Sequence, residues 1–322
     1  MHAPARASSV RLMLIRPRRT RATTAFALCL GLALAGPACD KGGTTPPGGD
    51  GAAEGGDSTA ESAEGGADYV YNPAGFKLLA TTKIKLDISS GQGQGSAEVQ
   101  AKSNIEATPE GDKFKVHGQV AELIGYTGSG QLDPEFMKKQ AEEAGEEPVD
   151  MQTELGKSEA WSIVDNKGEN DDDATEALAE NQDQEGAPMD FGLFNLPNLP
   201  SVDLEEGKKV QLPTEADEQQ LPFGTIPVEV DVTWTLRGMD GDVAELDVLV
   251  ESSGATEIDG GGATVLVSVL GESAYTVYFD MANKVPVSFN GYSASEISID
   301  LPDGTQQIAT NNEVETTFEI VQ

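Results

Sequence analysis

Cysteine and histidine are scarce: the 322-residue chain holds two of each. Cys29 and Cys39 lie in or at the end of an N-terminal export pattern, so residues 40–322 carry no cysteine and one histidine, His117. That excludes a disulfide, a Cys/His zinc site, a thiol nucleophile and a histidine pair for iron or copper. A Ser-His-Asp triad would have to use His117. Phe114 and Val116 alternate with Lys113, Lys115 and His117, which places the imidazole on the polar, wet face of a strand. A Gly-x-Ser-x-Gly elbow, a P-loop and a dinucleotide glycine fingerprint are missing as well. Neither a catalytic residue nor a cofactor is read from the sequence, and an enzyme is not expected. Positive charge is also short, with 21 Lys+Arg against 55 Asp+Glu. A field of that sign repels nucleic acid and anionic headgroups.

The acid is uneven: residues 141–190 hold 17 Asp+Glu against Lys157 and Lys167. Asp165 and Glu176 stand at the first and twelfth places of a calcium-loop window, but the rest of the motif fails. Lys167 takes a ligand place, Asn170 replaces the turn glycine and Asp172 takes the apolar place. A solvated acidic loop that associates weakly with divalent cations is expected, not a metal site.

What is present begins with six arginines (Arg6, Arg11, Arg16, Arg18, Arg19 and Arg21), followed by an apolar run from Ala22 to Ala38. A basic region, a short apolar region and a small-residue exit form the secretory pattern, and the run is too short and too rich in Ala and Gly to span a bilayer. Arg18-Arg19 is not followed by the Phe-Leu-Lys of a twin-arginine signal, and Met13 is a second candidate start. Gly36-Pro37-Ala38-Cys39 resembles the bacterial lipobox, although Gly36 replaces its usual leucine. Residues 1–38 are therefore expected to be a lipoprotein signal peptide and Cys39 to carry the lipid. Apart from Pro46 and Pro47, residues 40–67 contain no apolar side chain larger than alanine. With Cys39 they form a disordered tether, 39–67, that spans roughly 30 Å. The chain is then anchored to an inner or outer membrane of the cell envelope, facing the periplasm or the exterior.

From residue 76 the dominant signal is period-two alternation. In Val228-Glu-Val-Asp-Val-Thr-Trp-Thr-Leu236, five apolar residues share one face and polar residues the other. Met239-Asp-Gly-Asp242 reads as a hairpin turn, and Ala244, Leu246, Val248 and Val250 repeat the pattern. Further strands are expected at Ile84/Leu86/Ile88, Val99/Ala101/Ile105, Phe114/Val116, Val265/Val267/Val269, Tyr275/Val277/Phe279, Val285/Val287/Phe289, Ile297/Ile299/Leu301 and Val314/Phe318/Ile320. Roughly ten strands with Gly, Asn or Asp between them imply a mainly β domain over 68–322. The expected architecture is a single antiparallel meander sheet, curved or half-barrel, with one or two short inserted helices. Near 133–190 the pattern changes. Asp133 caps a helix that begins at Pro134 and runs to Ala144, a weaker helix covers 173–180, and 159–168 reads as a short strand and turn. Pro188 to Pro200 is apolar but broken by proline, as in a covering loop or an edge.

Three stretches, Trp161–Gly168, Leu199–Gly207 and Tyr275–Ser288, together with the lipobox, tether and mid-chain helix, carry a family likeness. The chain resembles the lipoprotein-carrier superfamily, which includes the LolA/LolB-like carriers and the mycobacterial glycolipid-binding lipoproteins. Within it the chain looks like a family of bacterial envelope lipoproteins whose function is not established. The resemblance implies a half-barrel whose concave face holds acyl chains. Two functional expectations follow. One is a non-catalytic interaction or structural lipoprotein whose acidic loops meet a basic protein partner. The other is a carrier or binder of a lipid or other apolar ligand, with Val228, Val230, Val232, Trp234 and Leu236 lining the concave face.

Overall fold

Alternation of β-branched and polar residues is realised as long strands. The computed structural model describes residues 69–321 apart from 92, 145–149, 172–173, 176–177, 179–191, 222–223, 260–263 and 302–303. The signal pattern, Cys39 and the tether lie outside the described residues. The strands are β1 (Phe76–Ser90), β2 (Gly93–Glu110), β3 (Lys113–Gly130), β4 (Glu159–Val164), β5 (Lys209–Gln211), β6 (Glu215–Leu221), β7 (Gly224–Asp240), β8 (Val243–Asp259), β9 (Thr264–Asp280), β10 (Val285–Leu301) and β11 (Gly304–Ile320). They form one antiparallel sheet of eleven strands that does not close into a barrel. The order is β4-β3-β2-β1-β11-β10-β9-β8-β7-β5, with β6 also pairing with β7. Two meanders, β1–β3 and β7–β11, are thus joined edge to edge by β1 and β11, from Leu78 opposite Ile320 to Ser90 opposite Ile308.

Eight of these strands are longer than the short segments the periodicity suggests. Val265/Val267/Val269 and Tyr275/Val277/Phe279, expected as two strands, are the single strand β9, and β10 likewise merges two expected strands. The glycines read as breaks lie mid-strand because neighbours occupy the space of their missing side chains. A Cβ on Gly291 would meet the Ala274 carbonyl oxygen at 2.2 Å and the Tyr275 ring at 2.6 Å, and one on Gly271 would meet Ser252 Oγ at 2.5 Å. Val287 departs from the expected inward series, because the register slips between Pro286 and Ser288 and leaves it exposed. The Met239–Asp242 turn is present, with Gly241 at φ +60° and Asp240 pairing with Val243. Short, polar β5 and β6 carry too few residues for alternation to reveal them.

Helix α1 (Pro134–Ala144) starts where Asp133 accepts from the Glu135 and Phe136 amides. A second helix not foreseen, α2 (Met151–Gly156), is capped by Asp150 and buries Met151 and Leu155. The helix expected at 173–180 falls largely outside the described residues, although Ala174, Thr175 and Leu178 are helical. Residues 188–191 of the expected covering loop also lie outside them. The described part, from Gly192 to Pro200, has no regular structure and buries Leu193, Phe194 and Leu199.

The sheet curls at one end. Tyr71 donates its amide to Asn166, just past β4, while the next residue, Asn72, donates to Lys284 in the β9–β10 turn. Those two sites are five strand spacings apart in sheet order, roughly 24 Å if the sheet were flat. Two consecutive residues bridge them only because the sheet folds over. The Tyr71 ring lies 5.4 Å from Phe76 and 5.8 Å from Phe279, and its hydroxyl donates to the Pro197 carbonyl at 2.7 Å.

Candidate functional site

The inner face of the curl is built by one phase of every long strand. It comprises the even-numbered positions of β1, β7, β8 and β11 and the odd-numbered positions of β2, β9 and β10, with the phase slipping at bulges in β2–β3, β7–β8 and β10. None of these inward positions on the described long strands carries Asp, Glu, Lys or Arg; the edge strand β6 alone brings acids to this face, with Glu215 opposite Val230 and Asp217 opposite Val228. Charges occupy the opposite face, where Lys77–Glu106, Lys83–Glu98 and Lys102–Glu122 pair across strands.

Three apolar clusters lie on this face. The first, at the curled end, includes Tyr71, Leu78, Ile105, Phe114, Trp234, Leu246 and Phe279, and is covered by Leu199 and Leu204. A second joins Ile84, Leu86, Val99 and Val120 to Leu193, Phe194, Met151 and Leu155. Phe194 seats over Gly118, where a Cβ would meet its ring at 2.4 Å. Tyr126 belongs to this cluster, donates to the Leu132 carbonyl at 2.8 Å, and has its phenol pushed up to about 12 by burial and then by Asp133. The third consists of Ile226, Val228, Val230, Val267, Val269 and Ile297; among the described residues it receives no helix or covering-loop side chain.

The five residues expected to line a ligand face do lie on one phase of β7, with Trp234 4 % exposed. The structure divides them. Val228 and Val230 belong to the third cluster, which the strands themselves bury, Trp234 and Leu236 to the loop-covered first, and Val232 touches both. Trp234 stands opposite Val210 of β5. Its indole is therefore packed from both sides instead of lining an open surface.

Polar residues interrupt the apolar face. Thr82, Ser103, Ser293, Thr310, Asn312 and Thr316 are all buried. Thr82 Oγ1 and Thr316 Oγ1 share a hydrogen bond at 3.1 Å, and Ser295 Oγ and Thr310 Oγ1 share one at 2.6 Å. Ser103 Oγ and Asn312 Oδ1 are buried without a partner. These positions escape a sequence reading that takes Gly/Ser stretches as turns. The available signal is that they continue the inward phase of the apolar residues on either side.

On the outer face, the only histidine after residue 39 is less solvated than its polar phase implies. His117 stacks on Trp161 at 3.9 Å between centroids, and its Nε2 lies 2.8 Å from Glu159 Oε1. Lys115 Nζ sits 4.5 Å from the centre of the same indole. No hydroxyl or thiol nucleophile joins this group among the interactions of the described residues. Further along, Lys113 pairs with Asp171, which holds that carboxyl below its ordinary range. A recess of about 430 Å³ at the hairpin end of β1 and β2 is lined by Ile88 and Ala309 together with polar residues that include Ser89, Ser96, Ser129 and Asn311, and Asp87 is its one ionisable group. Among the described residues no cluster of three His, Cys, Asp or Glu could hold a metal ion, and no helix is long and apolar enough to cross a membrane.

No protein-family model matches this chain, and no curated protein matches it.

Proposed function

We propose that this protein is a lipid-anchored, non-catalytic binding domain of the cell envelope that holds an apolar ligand on the inner face of its curved sheet. One observation carries the reading: the inner face of the long strands is free of charge, the acids Glu215 and Asp217 standing only on the edge strand β6, yet helices and loops reach only two of its three apolar clusters. A sheet whose inner face served only as a core would be expected to have that face covered throughout, by a second sheet or by helices. The resemblance to lipoprotein carriers points the same way, and the lipobox at Cys39 supplies the anchor. Organic extraction of the full-length protein purified from membranes should release an apolar molecule in near-stoichiometric amount. Protein that carries none, and whose melting temperature no lipid extract raises, would overturn the reading. The anchor is tested separately, since Cys39→Ala should release the chain from membranes or leave its precursor uncleaved.

A second reading rests on charge. Residues 224–301 carry thirteen Asp+Glu against Arg237 and Lys284, so the outer face of β7–β10 suits a basic protein partner. Such a complex would weaken steeply with salt, whereas an apolar ligand would not.

A further inference from the structure

A transverse band crosses the inner face between the first and third apolar clusters. Two register rows make it. One runs Asn312–Ser293–Ser273 and the next Thr310–Ser295–Gly271–Ser252, from β11 to β8. The flanking rows are apolar, with Val314, Tyr275 and Val248 on one side and Ile308, Ile297 and Val269 on the other. Within the band Ser295 and Thr310 satisfy each other. Asn312 is 3 % exposed, and its Oδ1 has no hydrogen-bond partner. A carbonyl oxygen held out of water without a donor is disfavoured, and native structures leave few of them.

We infer that this band seats the neutral hydrogen-bond donor of an amphiphile, a hydroxyl or amide N–H given to Asn312 Oδ1, while the acyl chain lies along the apolar rows beside it. The inference rests on the inner-face reading above and deepens it to a ligand class. The donor must be neutral, because the inner positions provide no cation for a carboxylate or phosphate, and an unpaired buried charge is far costlier than an unpaired dipole. A monoacylglycerol has the required chemistry. A free fatty acid offers only an acceptor once ionised, and a fatty-acid methyl ester has no donor at all.

The test compares monooleoylglycerol, methyl oleate and oleate as probes of the full-length protein held in amphipol, by thermal shift and native mass spectrometry. One hydrogen bond of this kind is expected to make monooleoylglycerol bind about tenfold more tightly than methyl oleate. In Asn312→Leu that preference should vanish, while the ligand-free melting temperature stays level or rises, because the unsatisfied acceptor is gone. A merely structural Asn312 would instead lower the ligand-free melting temperature. Equal binding of monooleoylglycerol and methyl oleate by the wild type would overturn the band's role and leave the inner-face reading standing. Tighter binding of oleate than of monooleoylglycerol would overturn the neutral class. If none of the three binds, the band holds water only and both readings fall.

Discussion

The two meanders share one sheet but are held together differently. In the first, residues 69–130 carry six lysines and six carboxylates, and four of those lysines face acids across strands, including Lys85 opposite Glu313 of β11. This half is also covered, since α2 and Phe194 pack onto β1–β3. In the second, residues 224–301 carry thirteen acids and two bases, and the described covering side chains leave its far end to the strands themselves. Val228 leans over Gly254, and Tyr275 leans over Gly291. Both halves pair their long strands from end to end, with isolated bulges in each, so charge balance is not what sets the register. Exposed ion pairs contribute little. A slip by one residue would turn an entire apolar phase outward, and that penalty is the same in both halves.

The largest difference between the two halves is expected at the loop-covered end. Trp234→Ala should cost about 3–5 kcal/mol in urea unfolding, because the indole is enclosed by β5 and the covering loop. Val230→Ala, in the cluster buried by strands alone, removes a smaller side chain and should cost about 2 kcal/mol. Equal losses would mean that the two ends are packed alike. The next effect tests self-packing over glycine. Gly291→Ala drives a methyl against the backbone oxygen of Ala274 and should destabilise by about 1–3 kcal/mol, whereas Gly125→Ala, with nothing within 4 Å of the new Cβ, should stay within about 0.5 kcal/mol of wild type. Gly271→Ala should fall between them, since Ser252 Oγ can rotate away.

A smaller effect concerns the β9–β10 turn. Asp280 accepts from the Ala282 and Asn283 amides and the Asn283 side chain. Burial opposes ionisation, but these hydrogen bonds outweigh it and hold the Asp280 carboxyl below its ordinary range. Its folded-state pKa is depressed, so its contribution is complete above the unfolded value of about 3.9 and is lost as pH falls through the folded value. Asp280→Asn should therefore flatten the acid limb of the stability curve below about pH 4, as read by denaturant midpoints across pH. An unchanged limb would remove Asp280 from the acid response.

The smallest expected effect is electrostatic. Raising salt from 0.15 to 1 M shortens the screening length from about 8 to about 3 Å. Amide exchange in β7–β10 should slow as carboxylate repulsion is screened, while exchange in β1–β3 should hold or quicken slightly as its pairs weaken. Identical responses would show that the acidic outer face carries no appreciable strain.

Much of this was legible in the residues. Strict alternation at Val228–Leu236 gave the phase of β7 with Trp234 inward, because a half-buried strand admits only two phases. Asp133-Pro134 marked the start of α1, and Met239–Asp242 a turn, because caps and turns depend on local backbone chemistry. Mid-strand glycines misled the reading at Gly271 and Gly291, where the local preference for a break was outweighed by Ser252 and Tyr275 filling the space. The candidate site was legible in its separate parts. Val228 to Leu236 share a face as expected, but which of them share a cluster depends on β5 and the covering loop, which approach from elsewhere in the chain.

The β character of the domain and the inward phase of its strands were already written in the residues, because both depend on a residue and its near neighbours. Tertiary structure alone decided three things: the pairing of β1 with β11, the curl closed by Tyr71 and Asn72, and the alignment of Asn312, Ser293 and Ser273 in one row. These join residues from about 20 to over 200 positions apart. Their proximity follows from register and curvature summed over several strands, which no local pattern records.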